Sequence, residues 1–296
     1  MIVVPGPASH ELGRKIAEKL GVEAFPVNHR IFPDGESYIK YEVSVNDETV
    51  ILVQTNAPDN DRKLVQLLIM AKAAKDLGAK RVIAVVPYLA YARQDKQFLD
   101  GEALAFDIIL GLLEQSGIDD IVVVDLHSES VLKELQPSHQ MKVHPLSAIA
   151  VIAQYLKENG YDGAYSLSPD LGRKDIVSSA SSVLGGGFAF FEKIRDLYTG
   201  ETTMKVKDID IKGKNAVVFD DIISSGGTMA KAIKGLKDQG AVKVAAACTH
   251  PLLTPGAKEK LMDGGAEVII GTDTIDSPYC QVTVAGMIAD YLKKIL

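Results

Sequence analysis

The sequence predicts an α/β protein made of two similar domains, each a mainly parallel sheet flanked by helices. Three observations lead there. Short apolar runs alternate with amphipathic helical patterns along the whole chain, the mark of parallel strands covered by helices. The 296 residues suffice for roughly two domains. One stretch also repeats: residues 75–84 (KDLGAKRVIA) echo residues 237–246 (KDQGAVKVAA), each a helix end, a glycine stop and a strand.

The apolar runs place strands at 2–4, 50–54, 81–86, 121–124, 164–167, 216–219, 242–248 and 267–270. Leu64, Leu67, Leu68 and Ala71 recur at i, i+3, i+4, i+7 and predict a helix over 61–77. Met229, Ala232, Ile233 and Leu236 do the same after residue 228. Proline disfavours a continuing element at His144-Pro145, so the domains are expected at 1–144 and 145–284. A last helix over 285–296 is expected to pack back on the first domain. A mobile segment is expected from Gly185-Gly186-Gly187 to about Thr203.

Composition narrows the class. Hydrophobic residues at 47% and charged residues at 24% fit a soluble globular protein. No apolar run approaches the ~20 residues of a membrane span, and no signal peptide opens the chain. Cys248 and Cys280 lack metal-ligand spacing and point to a reduced compartment. A net charge of −7 argues against a broad nucleic-acid surface. The expected setting is the cytoplasm, with neither membrane nor nucleic acid as partner.

The most informative stretch is 217–228, VVFDDIISSGGT. It reads as a buried strand ending in two carboxylates, Asp220 and Asp221, followed by a Ser/Gly loop and a helix. Ser224, Ser225, Gly226, Gly227 and Thr228 gather free backbone N–H groups and a helix N-terminus, which suits a phosphate monoester. Carboxylates repel phosphate, so the acidic pair suits sugar hydroxyls or a metal. A sugar phosphate meets both demands. The same residues would also serve in a plain strand-to-helix turn with a solvated acidic pair.

Other polar groups follow strand ends. Arg93, Gln94 and Asp95 come after 81–86; Arg offers a planar fork for phosphate oxygens and Gln can read a base edge. Phe32-Pro33-Asp34-Gly35-Glu36 is a turn whose aromatic face suits a purine. His127 follows the strand 121–124. Asp170 follows 164–167 and is either a Mg ligand through oxygen or a helix N-cap. Lys193 and Arg195 lie two apart, on one face if the stretch is extended, and suit closure over a polyphosphate. The ordinary readings are a plain turn at 32–36, a charged surface loop at 93–95, a structural histidine at 127 and a solvated strand edge at 193–195.

Taken in this order, the motifs resemble the ribose-phosphate pyrophosphokinase family, from Phe32 through Thr228, and the compact length is similar to that of archaeal members. The loop at 220–228 resembles the phosphoribosyl-diphosphate loop of the phosphoribosyltransferase fold. The resemblance implies two phosphoribosyltransferase-type domains, an ATP-side one and a ribose-5-phosphate-binding one. It implies ATP contacts at Phe32, Asp34, Gly35, Glu36, Arg93, Gln94 and Asp95, with the Phe32 loop serving a neighbouring subunit of a homodimer or larger assembly. It implies Mg2+ at His127 and Asp170, and catalysis by Lys193 and Arg195. The sugar phosphate would fall to Arg195, Asp220, Asp221, Ser224, Ser225, Gly226, Gly227 and Thr228. The chain departs from many relatives at Arg173, where a second glycine is usual, and at Ser224, where Asp is usual. The implied reaction moves the pyrophosphoryl group of MgATP to the anomeric hydroxyl of ribose 5-phosphate. A nucleobase phosphoribosyltransferase would explain 220–228 alone. A silent nucleotide-binding homologue would be expected to lack His127, Asp170 or the Lys193/Arg195 pair.

Overall fold

The structure is a computed structural model that describes residues 1–169, 174–195, 202–206 and 210–296, with 192–195 and 202–206 described by their backbone. The chain forms two compact units. One comprises Met1–Ser147, Thr274–Asp276 and Thr283–Leu296; the other comprises Ala148–Asp273 and Ser277–Val282.

In the first unit the elements run β1 (Ile2–Pro5), α1 (His10–Leu20), β2 (Asn28–Ile31), β3 (Ser37–Lys40), β4 (Thr49–Val53), α2 (Asn60–Asp76), β5 (Arg81–Val86), α3 (Ala105–Gln115), β6 (Asp120–Val124), α4 (Glu129–Leu135) and β7 (Lys142–Leu146). Five strands make one parallel sheet in the order β1-β4-β5-β6-β7. The runs Val50–Val53 and Val82–Val86 are completely buried, as strands covered on both faces must be. On one face Leu64, Leu67, Met70, Ala71 and Ala74 of α2 and Phe106, Leu110 and Leu113 of α3 build the core. β2 and β3 form a separate antiparallel hairpin.

Two elements, β7 and the terminal helix, complete this unit. Pro145, expected to end an element, lies inside β7. β7 is the edge of the sheet, where a missing N–H costs no ladder bond on the open side. The terminal helix α9 (Ala285–Ile295) belongs to this unit and packs against α1. It is also tied to the strand starts. Arg81 donates through Nη1 to the carbonyl of Ile295 at 2.8 Å and through Nη2 to Asp120 Oδ2 at 2.6 Å. His144 Nε2 meets Asp120 Oδ1 at 2.9 Å, and its Nδ1 meets the Tyr291 hydroxyl at 2.9 Å. Burial raises the Asp120 carboxyl, but the bonds from His144 and Arg81 outweigh it and hold it below the ordinary range.

The second unit runs α5 (Ile149–Leu156), β8 (Tyr165–Ser168), α6 (Lys174–Leu184), β9 (Phe188–Arg195), β10 (Thr202–Val206), β11 (Ala216–Ile223), α7 (Gly227–Asp238), β12 (Val244–Pro251), α8 (Ala257–Asp263), β13 (Val268–Thr272) and β14 (Cys280–Val282). Its sheet has the order β10-β9-β8-β11-β12-β13-β14, antiparallel between β9 and β10 and otherwise parallel. Met229, Ala232, Ile233 and Leu236 of α7 are all buried, as their spacing predicts.

The structure adds detail to one expectation for this unit and corrects another. The segment from Gly185 to Thr203, expected to be mobile, holds β9 and the start of β10 among its described residues, where Ala189 and Phe191 alternate into the core and Phe188–Phe190 pair with β8. β11 does not end at Phe219. It continues to Ile223, with Ile222 opposite His250, because the long β12 supplies partners along that edge.

Candidate active site

The candidate residues of the second unit collect at the carboxyl edge of its sheet. β8 pairs with β11 only as far as Val218, so Asp220 lies beyond the last paired residue on that side. Asp220 is half-buried and Asp221 is 3% exposed. Each carboxylate accepts the next amide: Asp221 N–H donates to Asp220 Oδ1, and Ile222 N–H donates to Asp221 Oδ1, both at 3.0 Å. Successive residues of a strand face opposite sides, so the two acids are not equivalent. Asp220 lies opposite Cys248, whose thiol is pushed well above its usual range by burial, with the nearby acids adding to the effect.

Ser224 and Ser225 lead into Gly226, which caps α7 with φ of +71°. A side chain there would sit 3.1 Å from the carbonyl of Ala257, so both the conformation and the space favour glycine. Among the described residues, the backbone N–H groups of Ser224, Ser225, Gly226, Gly227 and Thr228 meet no backbone carbonyl. This leaves the N-terminus of α7 with donors that meet no backbone carbonyl, a few residues after the acidic pair.

Lys193 and Arg195 occupy alternate positions of β9, opposite Met204 and Thr202 of β10. Phe190 pairs with Ser168, the end of β8, so the backbone positions of Lys193 and Arg195 fall further along β9, past the same carboxyl edge. Asp170 follows β8 but lies outside the described residues, as does Arg173.

In the first unit, two candidate groups share an edge. Arg93 and Gln94 are exposed and Asp95 is half-buried, all after β5. They are set by Gln94 N–H donating to Tyr91 O at 2.9 Å and by Phe106 N–H donating to Gln94 O at 3.2 Å. His127 is half-exposed after the adjacent β6. The turn that leads to it holds Asp125 at φ of +39°, where Ser147 donates to its Oδ1 at 2.6 Å. Phe32, Asp34, Gly35 and Glu36 are elsewhere, at the tip of the β2–β3 hairpin. Phe32 N–H donates to Glu36 O, and Glu36 N–H donates to Asp34 Oδ1 at 3.2 Å.

Sequence reasoning missed the surroundings of two of these groups. Arg30 puts its guanidinium 4.8 Å from the Phe32 ring and 4.7 Å from the Tyr38 ring, which themselves meet edge to face at 6.0 Å. The hairpin brings the three together, and i, i+2 spacing of Arg30 and Phe32 was the available signal. Tyr91 donates its hydroxyl to Asp61 of α2, which holds the Tyr91 phenol protonated above its usual range. Among the described residues no cluster of three or more His, Cys, Asp or Glu is arranged to hold a metal. No described helix is long and apolar enough to cross a membrane.

Known proteins match both units. The family model for the N-terminal domain of ribose phosphate pyrophosphokinase matches residues 1–117, and that for the phosphoribosyl transferase domain matches 175–275. Ribose-phosphate pyrophosphokinase of Saccharolobus solfataricus is 40% identical over 93% of this chain and 94% of its own length. That of Methanopyrus kandleri is 36% identical over 100% of this chain and 99% of its own. The crystal structure of phosphoribosylpyrophosphate synthetase from Mycobacterium smegmatis superposes with a TM-score of 0.86 at 30% identity, covering 99% of this chain and 98% of that one. With both halves matched and full-length relatives above 30% identity, the chain belongs to the ribose-phosphate pyrophosphokinase family.

Proposed function

We propose that this chain transfers the pyrophosphoryl group of MgATP to the anomeric hydroxyl of D-ribose 5-phosphate, giving 5-phosphoribosyl 1-diphosphate and AMP. The observation that carries the reading is the loop Ser224–Thr228, whose amides meet no backbone carbonyl and which follows the half-buried Asp220 by four residues. The amides suit the 5-phosphate, and the acids suit ribose hydroxyls, which donate to a carboxylate. Asp220 offers the more open carboxylate and Asp221 the deeper one.

The reaction forms a bond between the anomeric oxygen and the β-phosphorus of ATP and breaks the bond from that phosphorus to the α–β bridging oxygen. AMP leaves with the bridging oxygen, and the hydroxyl proton is released. Such a transfer needs alignment and neutralised charge more than a covalent nucleophile. Lys193 and Arg195, past the edge of the sheet that holds Asp220, suit the charge on the transferred group. Arg93, Gln94 and Asp95 suit the ATP phosphates and base, and the exposed hairpin with Phe32, Asp34, Gly35 and Glu36 suits the adenine of a neighbouring subunit. This gives the chain a homodimer or larger assembly as its working form.

His127, half-exposed after β6, would offer one ligand to a nucleotide-borne Mg2+, which habitually takes phosphate oxygens and water for the rest. Asp170 is proposed as a ligand on its place in the sequence alone. Bound with the nucleotide, the ion would neutralise phosphate charge. We place the reaction in the cytoplasm, with no membrane or nucleic acid as partner.

The test is to incubate the protein with ATP, Mg2+ and ribose 5-phosphate and separate the nucleotides. AMP formed only with the sugar supports the reading. ADP in its place indicates an ordinary kinase, and no sugar-dependent turnover directs attention to nucleobase transfer.

A further inference from the structure

The carbonyl groups of the phosphate loop are held one after another by donors behind it. Leu253 N–H donates to Ile223 O at 2.9 Å. Thr254 donates to Ser224 O twice, through N–H at 3.1 Å and through Oγ1 at 3.3 Å. Lys260 Nζ donates to Ser225 O at 3.4 Å. Ala230 N–H of α7 takes the next carbonyl, that of Gly226, at 2.8 Å. In a planar trans peptide the C=O and N–H point in opposite directions. Four consecutive peptide units therefore turn the N–H groups of Ser224, Ser225, Gly226 and Gly227 away from these donors. A carbonyl that accepts a hydrogen bond also polarises its peptide and strengthens the N–H on the far side.

The backbone geometry of the donor segment is itself uncommon. Leu253 adopts φ of +38°, a region that non-glycine residues rarely enter. That conformation lets the amides of Leu253 and Thr254 meet carbonyls of two successive residues. Ala257, in the same segment, sets the tight space at Gly226.

We propose that Thr254 and Lys260 are positioning residues for the sugar phosphate, acting through the carbonyls of Ser224 and Ser225 without touching the ligand. This rests on the reading of residues 224–228 as the 5-phosphate loop. The Lys260 ammonium adds positive charge one peptide behind the anion, and the Thr254 hydroxyl fixes the plane of the peptide between Ser224 and Ser225.

The test compares wild type with the double variants Thr254→Ala/Lys260→Met and Thr254→Ser/Lys260→Arg. Titration calorimetry with ribose 5-phosphate and with inorganic phosphate, KM for each substrate, and Tm are measured. The first variant is expected to lose about tenfold in affinity for both anions and to raise KM for ribose 5-phosphate alike, from two modest hydrogen bonds. Its KM for ATP and its Tm stay at wild-type values, and the Ser/Arg variant recovers the affinity. Unchanged affinity in the Ala/Met variant overturns the proposal, as does an equal loss toward ATP with a lower Tm. A wild-type protein that binds no ribose 5-phosphate overturns the underlying reading of the loop, before any variant is compared.

Discussion

Asp220 accepts the amide of Asp221 at 3.0 Å, and as successive residues of β11 the two acids fall on opposite faces of the strand. Asp220 is half-buried, and Asp221 is 3% exposed. The two acids should therefore respond differently to neutralisation. Asp220→Asn is expected to raise KM for ribose 5-phosphate by about ten- to a hundredfold, the cost of a lost charge-assisted bond, with Tm unchanged. Asp221→Asn is expected to lower Tm as well, since it alters a buried polar group that holds the Ile222 amide. Steady-state kinetics and thermal melts of the two variants check this.

Lys193 and Arg195 stand on β9 beyond the last pair with β8, past the edge that bears Asp220. Lys193→Ala is expected to cost about a hundredfold or more in turnover, as the loss of a donor to developing charge does elsewhere. Folding, followed by circular dichroism, should be little affected. A near-wild-type turnover counts against a catalytic lysine at this position.

Phe32 sits on an exposed hairpin, with Arg30 and Tyr38 around its ring. Phe32→Ala is expected to raise KM for ATP about tenfold, the loss of one base–aromatic stack, and to leave KM for ribose 5-phosphate unchanged. If the hairpin serves a neighbouring subunit, specific activity should fall on dilution as the assembly dissociates. Sedimentation over the same concentration range would show whether the two changes coincide.

His139 lies between two carboxylates, with Nε2 at 3.0 Å from Asp107 and Nδ1 at 3.0 Å from Glu114. Burial lowers its pKa, but the two carboxylates outweigh this and raise it above the ordinary value. A group raised on folding stabilises fully below its unfolded pKa of about 6.5 and loses that contribution as pH rises through its folded pKa. Stability is expected to decline above about pH 6.5 by about 1 kcal/mol from this group, since both acids are partly exposed. His139→Gln should remove that part of the slope in urea titrations at several pH values.

The parallel sheets and their helices were legible because buried strands read as continuous apolar runs and α7 as an amphipathic repeat. Strand ends were less legible, and for one reason. Asp220 and Asp221 lie within β11, and Thr249 and His250 within β12, so polarity at the carboxyl ends hid paired backbone. β7 was hidden by Pro145, which an edge strand accepts. The loop and acidic pair were legible because their donors and acceptors are contiguous. The buttress from Leu253 to Lys260 was not, since it joins Ser224 and Ser225 only through backbone carbonyls across the fold.

The most direct measurement follows each phosphate of ATP. ATP labelled in the β position and, separately, in the γ position would be turned over with ribose 5-phosphate, and the sugar product isolated. Pyrophosphoryl transfer predicts that both labels reach the sugar in equal amounts while the nucleotide product is unlabelled AMP. A sugar that carries the γ label alone, with the β label left in ADP, would contradict the account.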